Sequence, residues 1–215
     1  MKASSPKHSP LRLAVLISGS GTTLENLAVQ IAQGKLPAKI QRVIASRPDI
    51  YGLQRADKLG LPHVVVNRRG FTSVRAFSTA INRALDQYPV DLVCMAGFLS
   101  LWEIPTEFSN RVMNIHPALL PKFGGKGMHG LTVHQAVIDA GEKRSGCTVH
   151  FADNQYDHGP IILQRTCSVK DNDTADTLAA RVFKQECIAY PEAIRLFADG
   201  RIRVTDHFVH ILPEK

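Results

Sequence analysis

The stretch that most limits the fold is Leu11-Arg-Leu-Ala-Val-Leu-Ile-Ser18, together with the glycines behind it. A near-continuous apolar run of this length has no polar face to offer water. It suits a central strand of a parallel sheet, covered on both faces. Gly19-Ser20-Gly21-Thr22-Thr23 follows at once, and Leu24, Leu27, Ala28 and Ile31 then recur with helical period up to Gly34. Strand, tight turn and helix in that order are the first part of a crossover unit. Ser20, Thr22 and Thr23 can cap the helix, whose first N–H groups lack intrahelical partners and attract an anion. The turn lacks the third glycine of a dinucleotide fingerprint and the Gly-Lys-Ser/Thr of a nucleotide-binding loop. It reads either as a phosphate seat without NAD or ATP, or as a βα turn that binds nothing.

The same alternation continues. Lys39–Ser46 reads as a second strand, and Leu53, Ala56 and Leu59 as a short helix closed by Gly60. His63–Val66 is a third strand, Phe71–Leu85 a helix, Asp91–Ala96 a fourth buried strand and Arg111–Ile115 a fifth. Lys122–Gly130 holds four glycines and reads as a loop before a helix over Thr132–Ala140. Gly146–Phe151 and Ile161–Arg165 read as two strands joined by a polar turn, and so antiparallel. Asp173-Thr174 caps a long helix from Ala175 to about Phe197, and Ile202–Val209 reads as a last edge strand. The pattern predicts a single-domain, Rossmann-like α/β fold. Its twisted sheet is mostly parallel with helices on both faces, and its antiparallel strands lie near the C-terminal part. The expected boundaries are a disordered leader over 1–10, one domain over 11–205 and a tail over 206–215.

The chemistry concentrates in Asn114-Ile115-His116-Pro117. Pro117 stops the fifth strand, because it lacks an N–H and fixes its own φ. Asn114 and His116, two apart in a strand, share a face. An amide and an imidazole then point together from the carboxyl end of a strand, where open α/β sheets bind ligands. The amide can hold a carbonyl oxygen, and the imidazole can exchange a proton near neutral pH. The bland alternative is a capping Asn and a satisfied His. Asp157, in the turn Asp153–Pro160, is either a turn-capping carboxylate or a partner for His116. Phe98-Leu99-Ser100-Leu101-Trp102 lines a pocket for a flat ring or belongs to the core.

Composition narrows the function classes. Hydrophobic residues make up 44% and charged residues 21%, as in ordinary globular proteins. No apolar run approaches a membrane span, and the first ten residues lack an apolar signal core, so a cytoplasmic protein without a membrane partner is expected. The net charge is +7, but the basic residues are dispersed and no aromatic residues interleave them. An anionic small molecule accounts for the excess better than a nucleic acid does. Cys94, Cys147, Cys167 and Cys187 are scattered with no C-x-x-C spacing, and read as reduced thiols. His129 and His134, five apart, fit one helix face poorly as a metal pair, and no metal is expected.

Ile17-Ser-Gly-Ser-Gly-Thr, Ala96-Gly-Phe, Asn114-Ile-His-Pro-Ala-Leu-Leu-Pro, Thr148-Val-His-Phe, Asp157-His-Gly-Pro-Ile-Ile-Leu-Gln and Gln185-Glu186 occur in that order. Over about residues 11–204 the chain resembles the folate-dependent formyltransferases, and within them the glycinamide ribonucleotide formyltransferases. The resemblance implies formyl transfer from 10-formyltetrahydrofolate to the amine of 5'-phosphoribosylglycinamide, in purine synthesis. It implies Asn114, His116 and Asp157 as the catalytic set. Gly19, Ser20, Gly21, Thr22, Thr23, Pro117 and Glu186 would hold the ribonucleotide. Leu99, Ser100, Leu101, Trp102, Asp153, Asn154, Gln155 and Tyr156, with Asn114 and Asp157, would hold the folate. Thr23 stands where relatives often carry Asn, and Val74 where some carry Arg, with Arg75 following.

The expected mechanism is attack of the amine on the formyl carbon. Asn114 and a charged His116 would stabilise the oxyanion, and Asp157 would keep His116 charged and help move the proton. The rival readings are another 10-formyltetrahydrofolate enzyme, either a hydrolase or a tRNA formyltransferase core, and a non-catalytic phosphosugar-binding module. Monomer and homodimer both remain open.

Overall fold

In the computed structural model, which describes residues 9–214, the first apolar run becomes β1 (Leu11–Ile17), buried along its centre. Behind it come α1 (Thr22–Ala32), β2 (Ala38–Ala45), α2 (Tyr51–Lys58), β3 (His63–Val65), α3 (Val74–Asp86) and β4 (Leu92–Met95). The second half comprises β5 (Val112–His116), α4 (Leu131–Asp139), β6 (Arg144–Phe151), β7 (Ile161–Ser168), α5 (Ala175–Ala198), β8 (Ile202–Thr205) and β9 (Phe208–Ile211). Seven strands form one sheet in the order β3-β2-β1-β4-β5-β6-β7. β1 to β5 run parallel to one another, whereas β6 runs antiparallel to both β5 and β7.

Period-two alternation divides the core. Leu13, Val15 and Ile17 of β1 face a cluster with Leu24 and Leu27 of α1 and Leu178, Val182 and Ile194 of α5. Ala14 and Leu16 face the other side, with Phe77, Ile81 and Leu85 of α3. Both faces of β1 are therefore dry, which is why its sequence shows no polar alternation. Tyr190 of α5 is fully buried, and its hydroxyl lies 3.0 Å from the Met95 carbonyl and 2.9 Å from that of Met113. It fixes α5 across the ends of β4 and β5, beside the cleft.

The chain leaves β1 toward β2 on one side and reaches β4 on the other. This reversal opens a crevice at the carboxyl ends of the strands. The glycine turn after β1, Gly97 after β4 and Pro117 after β5 all lie along that edge.

Three expectations change. No side chain caps α1: its N-cap is Gly21 at φ +76°. The Ser20 and Thr22 hydroxyls lie 3.4 Å from each other instead. A Cβ on Gly21 would also sit 2.6 Å from Gly52 Cα, so backbone conformation and packing both require glycine. The span 202–209 is not one edge strand. Asp206 and His207 both have positive φ, 47° and 67°, and make the two-residue turn that folds β9 back on β8. The expected tail thus contains a strand, and the hairpin forms its own two-stranded sheet. The leader expected over 1–10 lies, apart from Ser9 and Pro10, outside the described residues.

Candidate active site

β5 and β6 bring the central groups together by register. Asn114 pairs across the ladder with His150, and His116 with Thr148. Facing residues in adjacent strands put their side chains within reach of one another. Asn114 Nδ2 lies 3.1 Å from His150 Nε2, while His150 Nδ1 lies 2.8 Å from the Phe151 carbonyl. The carbonyl can only accept, so the proton of His150 is on Nδ1. Nε2 is left as an acceptor, and the Asn114 amide is turned N–H first toward it.

Asp157 is the hub. It sits in the β6–β7 turn at φ +53°, a conformation that Asp tolerates better than most residues. The turn is pinned at Gly159, where a Cβ would lie 2.0 Å from the Phe151 carbonyl. Asp157 Oδ1 accepts from Asn114 Nδ2 at 3.3 Å, and Oδ2 accepts from the Gly125 N–H at 2.9 Å. Oδ2 is also 3.4 Å from His116 Nδ1, and Oδ1 is 3.7 Å from His150 Nε2. The carboxylate expected beside His116 is there. Burial pushes its pKa up, but His150 and His116, when protonated, together with the Gly125 N–H outweigh burial and hold it below the usual Asp range.

His116 departs from expectation. It is almost fully buried, and desolvation holds its pKa below the ordinary histidine range despite Asp157 and the Phe123 carbonyl. The imidazole is therefore mostly neutral near pH 7, not a standing imidazolium. Nε2 lies 2.8 Å from the Phe123 carbonyl, so the single proton is on Nε2 and the bare Nδ1 faces Asp157. One added proton turns that contact into an ion pair. The pair is arranged to accept a proton during a reaction rather than to carry one beforehand.

A cavity of about 480 Å³ opens beside this trio. Thr22, Thr23, Gly97, Leu99, Pro117, Lys126, His129, Tyr156 and Glu186 line it along with Asn114, His116 and Asp157. Of the anion turn, Thr22 and Thr23 reach the cavity. Gly19 and Ser20 are exposed and do not line it, and Gly21 is buried against Gly52. Burial raises the Glu186 carboxyl to about 7. Arg75 does not line the cavity.

A narrower recess of about 60 Å³ continues past Asn114 and Asp157. Ser100, Leu101, Trp102, Asp153, Gln155 and Tyr156 line it, with His150. Trp102 is only 1% exposed, and its indole N–H donates to Asn82 Oδ1 at 2.8 Å, so it is chiefly a core residue. Asn154 is absent from the lining; its Oδ1 accepts from the Ile104 N–H at 2.7 Å. His158 Nδ1 lies 2.7 Å from Asp153 Oδ2.

Sequence reasoning had not assigned His150 or Thr148 to the site. The alternation Thr148-Val-His150 puts both on one face, and the register with β5 puts that face against Asn114 and His116. Thr148 Oγ1 donates to the Ala118 carbonyl at 2.7 Å and accepts from the Leu120 N–H at 3.0 Å, holding the chain that leaves Pro117. Among the described residues, no three His, Cys, Asp or Glu side chains cluster as metal ligands, and no helix is long and apolar enough to cross a membrane. Cys94 and Cys147 are buried free thiols.

Comparison with known proteins gives the family of the chain. The formyl transferase family model matches residues 11–194. The phosphoribosylglycinamide formyltransferase of Haemophilus influenzae is 36% identical over 202 residues, covering 93% of each chain. The bovine trifunctional purine biosynthetic protein adenosine-3 is 38% identical over 198 residues, and the chain spans 19% of its length. The crystal structure of glycinamide ribonucleotide transformylase 1 from Symbiobacterium toebii superposes with a TM-score of 0.90 at 41% identity, covering 96% of each chain. With its sheet order, its Asn–His–Asp cluster and these likenesses, the chain belongs to the formyl transferase family.

Proposed function

We propose that this protein transfers the formyl group of 10-formyltetrahydrofolate to the amine of 5'-phosphoribosylglycinamide, in the cytoplasm and with small molecules as its partners. The observation that carries the reading is the convergence of Asn114, His116 and Asp157 in a roomy cavity, with Asn114 and Asp157 also lining the narrow recess that continues past them. Two ligands entering by the two arms would meet at the trio. Thr22, Thr23 and the free N–H groups at the start of α1 seat the phosphate. Glu186 faces the amine-bearing part of the ribonucleotide, and a bound ammonium would draw its pKa back down. The recess takes the folate. At about 60 Å³ it is far smaller than the ~300 Å³ of a typical small-molecule site. The 153–157 turn must therefore open, exchanging the Asn154–Ile104 hydrogen bond for contacts with the ring.

The amine attacks the formyl carbon, forming a C–N bond as the carbonyl electron pair moves onto oxygen. The second N–H of Asn114, held by Asp157 through a long 3.3 Å bond, is free to turn to that oxygen. Preorganised donors of this type contribute about 3 kcal/mol each. The new ammonium gives its proton to the Asp157–His116 pair, which His116 accepts at Nδ1. The charged ring, with Nε2–H on the Phe123 carbonyl and Nδ1–H on Asp157, stabilises the nearby oxyanion through its charge. The pair returns a proton to N10 of the folate as its C–N bond breaks and the carbonyl re-forms. Every proton taken up is returned, and no covalent enzyme intermediate forms.

The test is an assay of both products, formylated ribonucleotide and tetrahydrofolate, with the ribonucleotide present and absent. Equal amounts of both, dependent on the amine, are expected. Tetrahydrofolate released at the same rate without the amine would identify a hydrolase, and release in neither case a binding module.

A further inference from the structure

Among the described residues, the seat at the start of α1 has no uncommitted cation of its own. Arg55, the nearest candidate, is committed: its Nε donates to the Ser20 carbonyl at 3.1 Å, and a terminal nitrogen bonds Glu25. Arg68 donates to the Phe71 carbonyl and lies over the Phe77 ring. Among the described residues lining the large cavity, the single lysine or arginine is Lys126. Its side chain is exposed and has no ion-pair or hydrogen-bond partner among the described residues. Lys122 and Lys143, by contrast, pair with Glu142 and Asp171.

The loop is shaped to present this residue. Gly125 and Gly127 flank it at φ +98° and +89°. A Cβ on either would meet nothing within 4 Å, so these glycines serve backbone direction rather than packing. The Met128 N–H donates to the Gly125 carbonyl at 3.1 Å, folding the chain around Lys126. The Gly125 N–H donates to Asp157 Oδ2. Lys126 therefore stands one residue from a group that holds the catalytic carboxylate.

We propose that Lys126 is the phosphate-specificity residue of this enzyme. Its ε-ammonium closes over the phosphomonoester seated at Thr22 and Thr23, and engagement of the loop steadies Asp157 through Gly125. The inference rests on the ribonucleotide reading above and adds the residue that selects for the phosphate. A single charge-assisted contact corresponds to about a tenfold to hundredfold change in binding.

The experiment compares wild type, Lys126→Ala and Lys126→Arg on phosphoribosylglycinamide and on its dephosphorylated riboside. With the phosphorylated substrate, Lys126→Ala should raise KM by about tenfold to a hundredfold and lower kcat by a smaller factor. Lys126→Arg should recover most of the loss. On the riboside the three proteins should be equal. A loss of the same size on both substrates, or on neither, overturns the proposal. Calorimetric titration with inorganic phosphate alone separates this from failure of the functional reading, because it needs no turnover. Wild type should bind phosphate at least tenfold more tightly than Lys126→Ala, and equal binding overturns the role of Lys126 whatever the reaction is.

Discussion

The two arms of the cleft are built on opposite plans. The arm assigned to the ribonucleotide stands on the parallel half of the sheet. It is open, at about 480 Å³, and is walled by the start of α1 and the glycine-rich loop. The arm assigned to the folate is lined by the stretch after β4 as well as by β6 and the turn behind it, and at about 60 Å³ it is nearly shut to a ligand. Its turn is held by Asn154 on Ile104 and by Asp153 on His158. Both arms end on Asp157. An open arm takes its ligand without rearrangement, whereas a shut arm exchanges existing hydrogen bonds for new ones and keeps water off the reacting groups until it is filled. On the proposed reading, selectivity for the phosphate rests on charge, and admission of the folate rests on a conformational exchange.

That contrast can be broken at several points, from the largest effect downward. Asn114→Ala removes the donor shared by both arms. It should lower kcat by about 10²- to 10³-fold with little change in either KM, read by steady-state kinetics. A large rise in one KM with kcat unchanged would make Asn114 a binding residue of that arm alone.

Glu186→Gln probes the open arm. Burial raises the carboxyl to about 7 in the folded protein, from an ordinary value of about 4.5. Its contribution to stability is complete below about pH 4.5 and is lost as pH rises through 7. The Gln variant does not lose it. At pH 8 Glu186→Gln should be more stable than wild type by on the order of 2 kcal/mol, and near pH 4.5 the difference should vanish. Denaturant unfolding at the two pH values checks the sign. The same variant should bind the ribonucleotide more weakly at pH 8 than wild type does.

Asn154→Ala probes the shut arm and should have the smallest effect. Loss of the contact to the Ile104 N–H frees the turn. KM for the folate should change by a few-fold, while KM for the ribonucleotide stays put, consistent with a net hydrogen bond of about 1 kcal/mol. A matching change in both KM values would show that the turn governs the whole cleft.

The parallel half was the more legible half in the sequence. Its strands are dry on both sides, so their residues form apolar runs bounded by glycine and proline, and β1 to β5 stand close to where the pattern puts them. Asn114 and His116 stood out because Pro117 ends a strand directly after an Asn-x-His pair, whereas Asp157 was marked by the family resemblance, since its turn alone reads equally well as a capped loop. His150 was not, because its role depends on the β5–β6 register, a long-range fact that local periodicity does not carry. The protonation state of His116 was not legible either. A neighbouring carboxylate argues for a charged ring, and only the burial of that ring in the fold reverses the sign. The β8–β9 hairpin escaped because Asp206-His207 carries no glycine to mark a turn with two positive φ values.

The central claim is that Asp157 and His116 form one proton-handling unit on which both arms converge. The most direct measurement is single-turnover formyl transfer by Asp157→Asn, alongside calorimetric binding of the ribonucleotide. The account predicts a fall in the chemical step of about 10²- to 10⁴-fold with ribonucleotide affinity within a few-fold of wild type. A variant that transfers the formyl group at the wild-type rate, or one that has lost ribonucleotide binding altogether, would contradict it.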